Sequence, residues 1–225
     1  MPASTNRVRT RNRRGEGTQL REEIVAAAGT LLEETGRDDA VTLRAIARTI
    51  GITAPSIYAH FDDRDQILRA LIVQTFDRLT DVLRPAADGE ADPVTRAHAV
   101  ARAYVAFATE HAHLYRVLFE RHHEAAAVLR PSAPTDVTTM VGAEAFGVLL
   151  DAVRACIASG DSTATAAEPV ATRWWVGLHG LSTLRASMPF FPWPPLAPQL
   201  DDLTDRLVEL RSPPPPARRR RATRG

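Results

Sequence analysis

Residues Thr42–Leu68 read TLRAIARTIGITAPSIYAHFDDRDQIL. Thr42 is placed to cap a helix in which Leu43, Ile46, Ala47 and Ile50 recur at helical spacing. Gly51 supplies a turn residue that tolerates positive φ. Ile52 points back toward a core, Thr53 caps a second short helix, and Pro55 falls in its first turn, where a missing N–H does no harm. That helix is expected over about Ala54 to His60. Only Ile57 and Phe61 can anchor it, so Ala54, Ser56, Tyr58 and His60 must face elsewhere. Asp62 or Asp63 then caps a long helix with an apolar stripe of Ile67, Leu68, Leu71, Ile72, Phe76, Leu79 and Leu83, expected to end before Pro85.

A helix, a tight glycine turn and a second helix make a helix-turn-helix, whose second helix fits a DNA major groove about 12 Å wide. This gives the polar surface a use. Tyr58 and His60 can donate to phosphate oxygens, while Ala54 and Ser56, being small, can approach base edges or a thymine methyl. Arg44 can reach O6 and N7 of guanine, and Arg64 can hold a phosphate beside the N–H groups that open the long helix. Asp62, Asp63 and Asp65 would repel phosphate, so they are expected to face away and to help fix Arg64.

Working outward, TQLREEIVAAAGTLLEETG (18–36) sets Leu20, Ile24, Val25, Ala28, Leu31 and Leu32 on one helical face, with Thr18 as cap and Gly36 as stop. After the turn-forming run AADGEADP, Asp92 and Pro93 open another helix carrying Val100, Tyr104, Phe107 and His111, and HLYRVLFERHH continues as a shorter piece. Residues 125–134 read as loop. Further helices are expected from Thr135 to Ile157 and from Glu168 to Ser187, followed by a proline-broken aromatic connector, MPFFPWPPLAP. Leu200, Leu203, Leu207 and Leu210 form a seam suited to helix pairing, and SPPPPARRRRATRG is low complexity. With no strand pattern and no repeat, the chain reads as all-α. The expected organisation is a basic arm over 1–17, a DNA-binding domain over 18–64, a helical regulatory and dimerisation domain over 65–211, and a Pro/Arg-rich tail over 212–225.

The 225 residues are 44% hydrophobic and 24% charged, an ordinary globular composition. The net charge of +1 conceals basic ends: five arginines and no acid in residues 1–14, and six arginines and no acid in residues 211–225. Residues 15–64 carry five arginines against nine acids. Phosphate affinity then calls for another source of charge, and Arg7, Arg9, Arg11, Arg13 and Arg14 are the natural arm for it. No apolar run is long enough to span a bilayer, and the start lacks a signal-peptide pattern, so a cytoplasmic location without membrane attachment is expected. The single Cys156 sits in an apolar helical pattern and reads as packing. No phosphate loop, nucleophile elbow or spaced acid pair points to an enzyme, and no cofactor is expected.

Thr42 through Leu71, with the preceding helix, Pro55, the SIYAHF block and the capped start of a long helix, resembles the DNA-binding segment of the tetracycline-repressor (TetR) family. That resemblance implies base contacts at Arg44, Ala54, Pro55 and Ser56 and backbone contacts at Thr42, Tyr58, His60 and Arg64; Thr53, the expected cap, is counted with them as a DNA-binding candidate. It departs from the commonest pattern in having Arg64 where Lys is usual and Ala54 where a longer side chain occurs. WVGLHGLSTL, Trp175 to Leu184, resembles a Trp-His-Gly (WHG) signature found in one class of the family's C-terminal domains. The family reading implies a homodimer on a palindromic double-stranded DNA operator, usually as a repressor, with Gly177, Gly180 and the leucine seam at a two-fold interface or in the monomer core. It also implies a small-molecule effector pocket, for which Tyr104, Phe107, His111, Tyr115, Met140, Trp175 and His179 are the candidates. Two alternatives stand beside it: a metal-responsive regulator using His111, His113, His122, His123 and Glu124, and a constitutive DNA-binding protein without an effector.

Overall fold

The structure, a computed structural model, describes residues 16–120 and 141–211. Among these residues there are nine α-helices and no strand longer than an isolated bridge. The helices are α1 (Glu16–Thr35), α2 (Leu43–Thr49), α3 (Ala54–Ile57), α4 (Arg64–Asp88), α5 (Pro93–Glu110), α6 (Ala112–Glu120), α7 (Ala143–Ser159), α8 (Ala167–Ser187) and α9 (Leu196–Leu207). A 3-10 turn, Asp38–Ala40, links α1 to α2. The described residues divide into two compact units, 16–79 with 107–120 and 141–143, and 80–106 with 144–211.

The first unit is organised by short helices that each bury one side. Ile24, Val25, Ala28 and Leu32 of α1 join Ile46 and Ala47 of α2, Ile57 of α3, Phe61, Ile67, Leu68 and Leu71 of α4 and the turn before it, and Leu114 and Val117 of α6 in one apolar cluster. Complete burial of a side chain such as Ile57 or Leu71 is worth about 1.5–3 kcal/mol. Such a core can hold a four-residue helix that could not persist alone. Glu33 of α1 accepts from the N–H of Leu114 at 3.3 Å, and Arg116 donates to the carbonyl of Gly36 at 2.8 Å. These bonds tie the last turn of α1 to the first turns of α6.

The second unit is built around the pairing of α8 with α9. Trp174 is fully buried and its indole N–H donates to Thr204 at 3.4 Å, while Arg173 donates to the carbonyl of Leu207 at 2.9 Å and pairs with Glu209. A Cβ on Gly177 would collide with Leu207 and meet Leu203 at 3.4 Å, so this glycine is what lets α8 approach α9 of its own chain. Ser162 donates to the carbonyl of Val208 at 2.7 Å and closes the end of the pair. The aromatic connector is ordered by the Trp193 indole N–H on the carbonyl of Met188 at 3.0 Å and by Arg185, which donates to Pro194 and Gln199.

Several boundaries differ from expectation. The first helix begins before Thr18, which lies inside it and is no cap. Pro85 does not stop α4, which runs on to Asp88 and closes with the N–H of Gly89 on the carbonyl of Pro85 at 3.0 Å. Pro85 and Asp81, the residue whose carbonyl the ring leaves without a donor, are both exposed, so solvent replaces the missing bond. Helix α3 is one turn, with His60 and Phe61 bonded back to Ile57 in the turn that follows. The described part of the helix expected from Thr135 begins at Ala143, and residues 121–140 lie outside the described ones. The leucine seam is interrupted, because α9 ends at Leu207 and Leu210 pairs instead with Ser162.

Candidate nucleic-acid interface

The local geometry of the helix-turn-helix follows from its caps. Thr42 accepts from the N–H of Ala45 at 3.1 Å, which sets the first turn of α2. Gly51 takes φ +70, a backbone that an L side chain rarely adopts, and the N–H of Ile52 returns to the carbonyl of Ala47 at 2.9 Å. The chain reverses there and reaches Thr53, the N-cap of α3. Its hydroxyl makes no capping bond and lies instead 2.9 Å from the hydroxyl of Ser56.

Helix α3 separates its faces at Ile57 and Tyr58, although Ala54, expected to face away from the core, is small enough to pack partly against it. Ile57 is fully buried, yet the adjacent Tyr58 is 57% exposed. Thr53 and Pro55 are exposed, Ala54, Ser56 and His60 are half-buried, and Thr42 and Arg44 of α2 are exposed. Eight of the nine nucleic-acid candidates therefore lie, exposed or half-buried, on α2, α3 and the turns that flank them, and the hydroxyls of Thr53 and Ser56 share one hydrogen bond. Such a surface offers hydroxyl donors and acceptors, a phenol, an imidazole and a guanidinium, the groups that meet phosphate oxygens and base edges.

Arg64 differs from the other eight. Its Nε donates to the carbonyl of Val41 at 2.8 Å and its Nη2 to the carbonyl of Asp38, with the Asp38 and Asp65 carboxylates 3.6 and 3.7 Å from its Nη atoms. The fork faces its own fold. Of the neighbouring acids, Asp63 caps α4 by accepting from the N–H of Gln66 at 2.7 Å, and Gln66 in turn bonds Asp62. Asp38, which the sequence pattern does not connect to Arg64, is the stronger partner.

Sequence reasoning also misses Arg21. Its guanidinium carbon lies 4.5 Å from the centre of the Phe61 ring, at the end of the turn that carries Tyr58 and His60. The helical period puts Arg21 off the apolar face of α1, but no pattern in the chain links it to a ring forty positions on.

The pocket candidates fall in both units. In the second, Tyr104 is buried and accepts from the Trp175 indole N–H at 3.1 Å, and Phe146 meets Trp175 edge to face at 6.1 Å. His179, one turn beyond Trp175, is half-buried, and that burial holds its imidazole below the ordinary histidine value. In the first unit Phe107 and Tyr115 are buried, and His111 stacks beside Phe107 at 4.9 Å with Nδ1 3.8 Å from Glu33. Met140 lies outside the described residues, as do His122, His123 and Glu124 of the metal alternative. A separate cleft of about 100 Å³ in the second unit is lined by Arg84, Asp88, Arg96, Val148 and Asp151 and contains none of these candidates.

This architecture defines an all-helical regulator with a helix-turn-helix unit. Comparison with known proteins agrees: residues 24–71 match the family described as bacterial regulatory proteins, tetR family, and residues 97–210 match the tetracyclin repressor-like C-terminal domain. The chain belongs to the tetR family. An HTH-type transcriptional regulator of Mycobacterium tuberculosis is 30% identical over 158 residues, 68% of this chain and 64% of that protein. The chain thus spans somewhat under two thirds of the curated relatives of that group. A solved structure of a Rhodococcus protein of unknown function is 29% identical, with a TM-score of 0.66 over 84% of this chain and 91% of that one. A tetR-family regulatory protein from Rhodococcus, 16% identical, shares the fold with a TM-score of 0.63 over 85% of this chain and 98% of its own. No described helix is long and apolar enough to cross a membrane.

Proposed function

We propose that this chain is a homodimeric, ligand-responsive transcriptional repressor that binds a palindromic DNA operator in the cytoplasm and has no catalytic role. The observation that carries the reading is the division of α3, with Ile57 sealed in the core and Tyr58 beside it held in solvent, next to exposed Pro55 and half-buried Ala54 and Ser56. A buried helix has no use for that face; a major groove does. Thr42, Tyr58 and His60 supply phosphate donors, Arg44, Ala54, Pro55 and Ser56 meet bases, and Arg21 adds a phosphate contact from α1. The arginines of residues 7–14 supply further charge along the backbone.

One recognition helix per chain reads half a palindrome, so two chains must set their helices about 34 Å apart. The outer side of α8 is suited to that pairing: Val176 is 59% and Leu184 48% exposed, and nothing stands within 4 Å of a Cβ on Gly180. The effector is a small apolar or amphipathic molecule, for which the Tyr104, Trp175, Phe146 and His179 group provides aromatic surface with few polar handles. It acts by preferring the conformation that does not fit DNA, and a reversal from 1:99 to 99:1 needs about 5.5 kcal/mol of differential affinity.

Selection of bound duplexes from a randomised library by the intact chain tests the proposal. Enrichment of an inverted repeat is the expected result; enrichment of nothing, at low as well as moderate salt, would overturn it.

A further inference from the structure

We propose that Arg64 is a positioning residue, which fixes α2 and α3 against the start of α4, and that it makes no phosphate contact. The inference rests on the DNA-binding reading above and assigns this side chain a different task within it. Three observations combine. First, two of the five N–H donors of the fork are tied to its own fold: Nε reaches the carbonyl of Val41 at 2.8 Å and Nη2 the carbonyl of Asp38, and the side chain is only 29% exposed. Second, the surroundings disfavour an anion. Asp38 and Asp65 place carboxylate oxygens within 3.7 Å of the guanidinium, whereas the nearby Asp39 is engaged by Arg37 at 2.6 Å. A phosphate would find Nε and one N–H of Nη2 already taken and would approach the remaining donors beside two carboxylates.

Third, the strap is short. Val41, whose carbonyl Arg64 holds, is fully buried and directly precedes Thr42, the cap that starts α2. The carbonyl of Asp38 also takes the N–H of Val41 at 3.1 Å, so the turn that launches α2 is closed around the guanidinium. At the other end, Asp63 caps the helix that Arg64 begins. The planar guanidinium of one residue therefore links the capped start of α4 to the capped start of α2. A displacement of the start of α4 is handed to α2 and α3 without slack. Lysine would keep the charge, but a single ammonium on a flexible stem cannot reproduce the fork.

The test uses the full chain with Arg64→Lys and Arg64→Gln and two probes, a duplex enriched by the wild-type chain and a scrambled duplex of equal length. Binding is titrated across a salt series, and amide hydrogen exchange is followed over residues 38–46 in the absence of DNA. Positioning predicts that both variants bind the enriched duplex at least tenfold more weakly, with an unchanged slope of log affinity against log salt. It also predicts reduced discrimination against the scrambled probe and at least tenfold faster exchange at Val41 to Ala45. A phosphate contact predicts instead that Lys restores binding and that Gln makes the slope shallower by about 0.9 for each phosphate no longer neutralised. Either of those results, or wild-type binding and exchange in both variants, overturns the proposal. Should Arg64→Gln fail to fold, Arg64→Lys and its exchange pattern decide alone. Failure of the wild-type chain to enrich any duplex would strike the DNA-binding reading, whereas wild-type enrichment with normal variants would strike this one.

Discussion

The α2–α3 segment and the α8–α9 pair are both helical pairs, yet they handle their surfaces in opposite ways. In α3 a single residue, Ile57, is fully buried for anchorage, and its neighbours are exposed or half-buried. In α8 and α9 the facing side chains satisfy one another, through Trp174, Thr204, Arg173 and the leucines at Gly177, while Val176 and Leu184 on α8 stay exposed. A surface that binds a partner has to be left unsatisfied within its own fold. The first pair advertises its role in the sequence, because polar residues sit where a core would need apolar ones. The second carries no such signal, because residues that pair helices within one chain have the same chemistry as residues that pair two chains.

The largest effect expected of a single change is at the anchor. Ile57→Ala removes the only buried side chain of α3 and leaves a cavity, which should cost about 2–5 kcal/mol by denaturant titration and abolish operator binding at physiological temperature. Unchanged stability would mean that α3 is not held by this core. The next probes the second pair. Gly180→Arg meets open space within the chain and should leave the thermal midpoint within a few degrees of wild type, while sedimentation shows a shift from dimer to monomer and operator affinity falls more than tenfold. A dimer that survives would move the interface elsewhere.

Smaller effects are expected at the open face. Ser56→Ala should relax discrimination at one position of each half-site by about 1–3 kcal/mol, read as a change in the selected sequence, with folding stability unchanged. Smallest is a pH effect in the second unit. Burial lowers the His179 pKa in the folded chain, so protonation favours unfolding. The stability this histidine permits is fully present above the unfolded value of about 6.5 and is lost as pH falls through the lower folded value. His179→Gln should flatten the dependence of denaturation midpoint on pH below about 6.5; an identical slope would exclude the contribution. The thiol of the same unit needs no such test of reactivity: burial pushes Cys156 up to about 11, in keeping with a packing role.

How far the sequence discloses the molecule depends on what each signal rests on. Helical class and the caps at Thr42 and Asp63 are local, set by a side chain and a backbone N–H three residues away, and they appear in the structure at those positions. Gly51 is legible for the same reason. The end of α4 is not, since tolerance of Pro85 depends on Asp81 and Pro85 sharing an exposed face. The partners of Arg64 and Arg21 are illegible because they lie in other elements, at Asp38, Val41 and Phe61. The sequence marks Trp175 as a pocket residue and passes over Trp174, although the latter is the sealed core residue; adjacent indoles on one helix cannot be told apart until a neighbouring helix covers one of them. Tyr104 meeting Trp175 is likewise a product of tertiary placement.

Duplicate reading of bases by the exposed side of α3 underlies the DNA-binding expectations, and a specificity ratio probes it without intermediaries. The intact chain is titrated at physiological salt against an enriched inverted-repeat duplex and against a scrambled duplex of the same length and composition. A ratio of at least about 10³ in favour of the repeat is expected, with two chains bound per duplex. Equal affinity for the two duplexes would refute it.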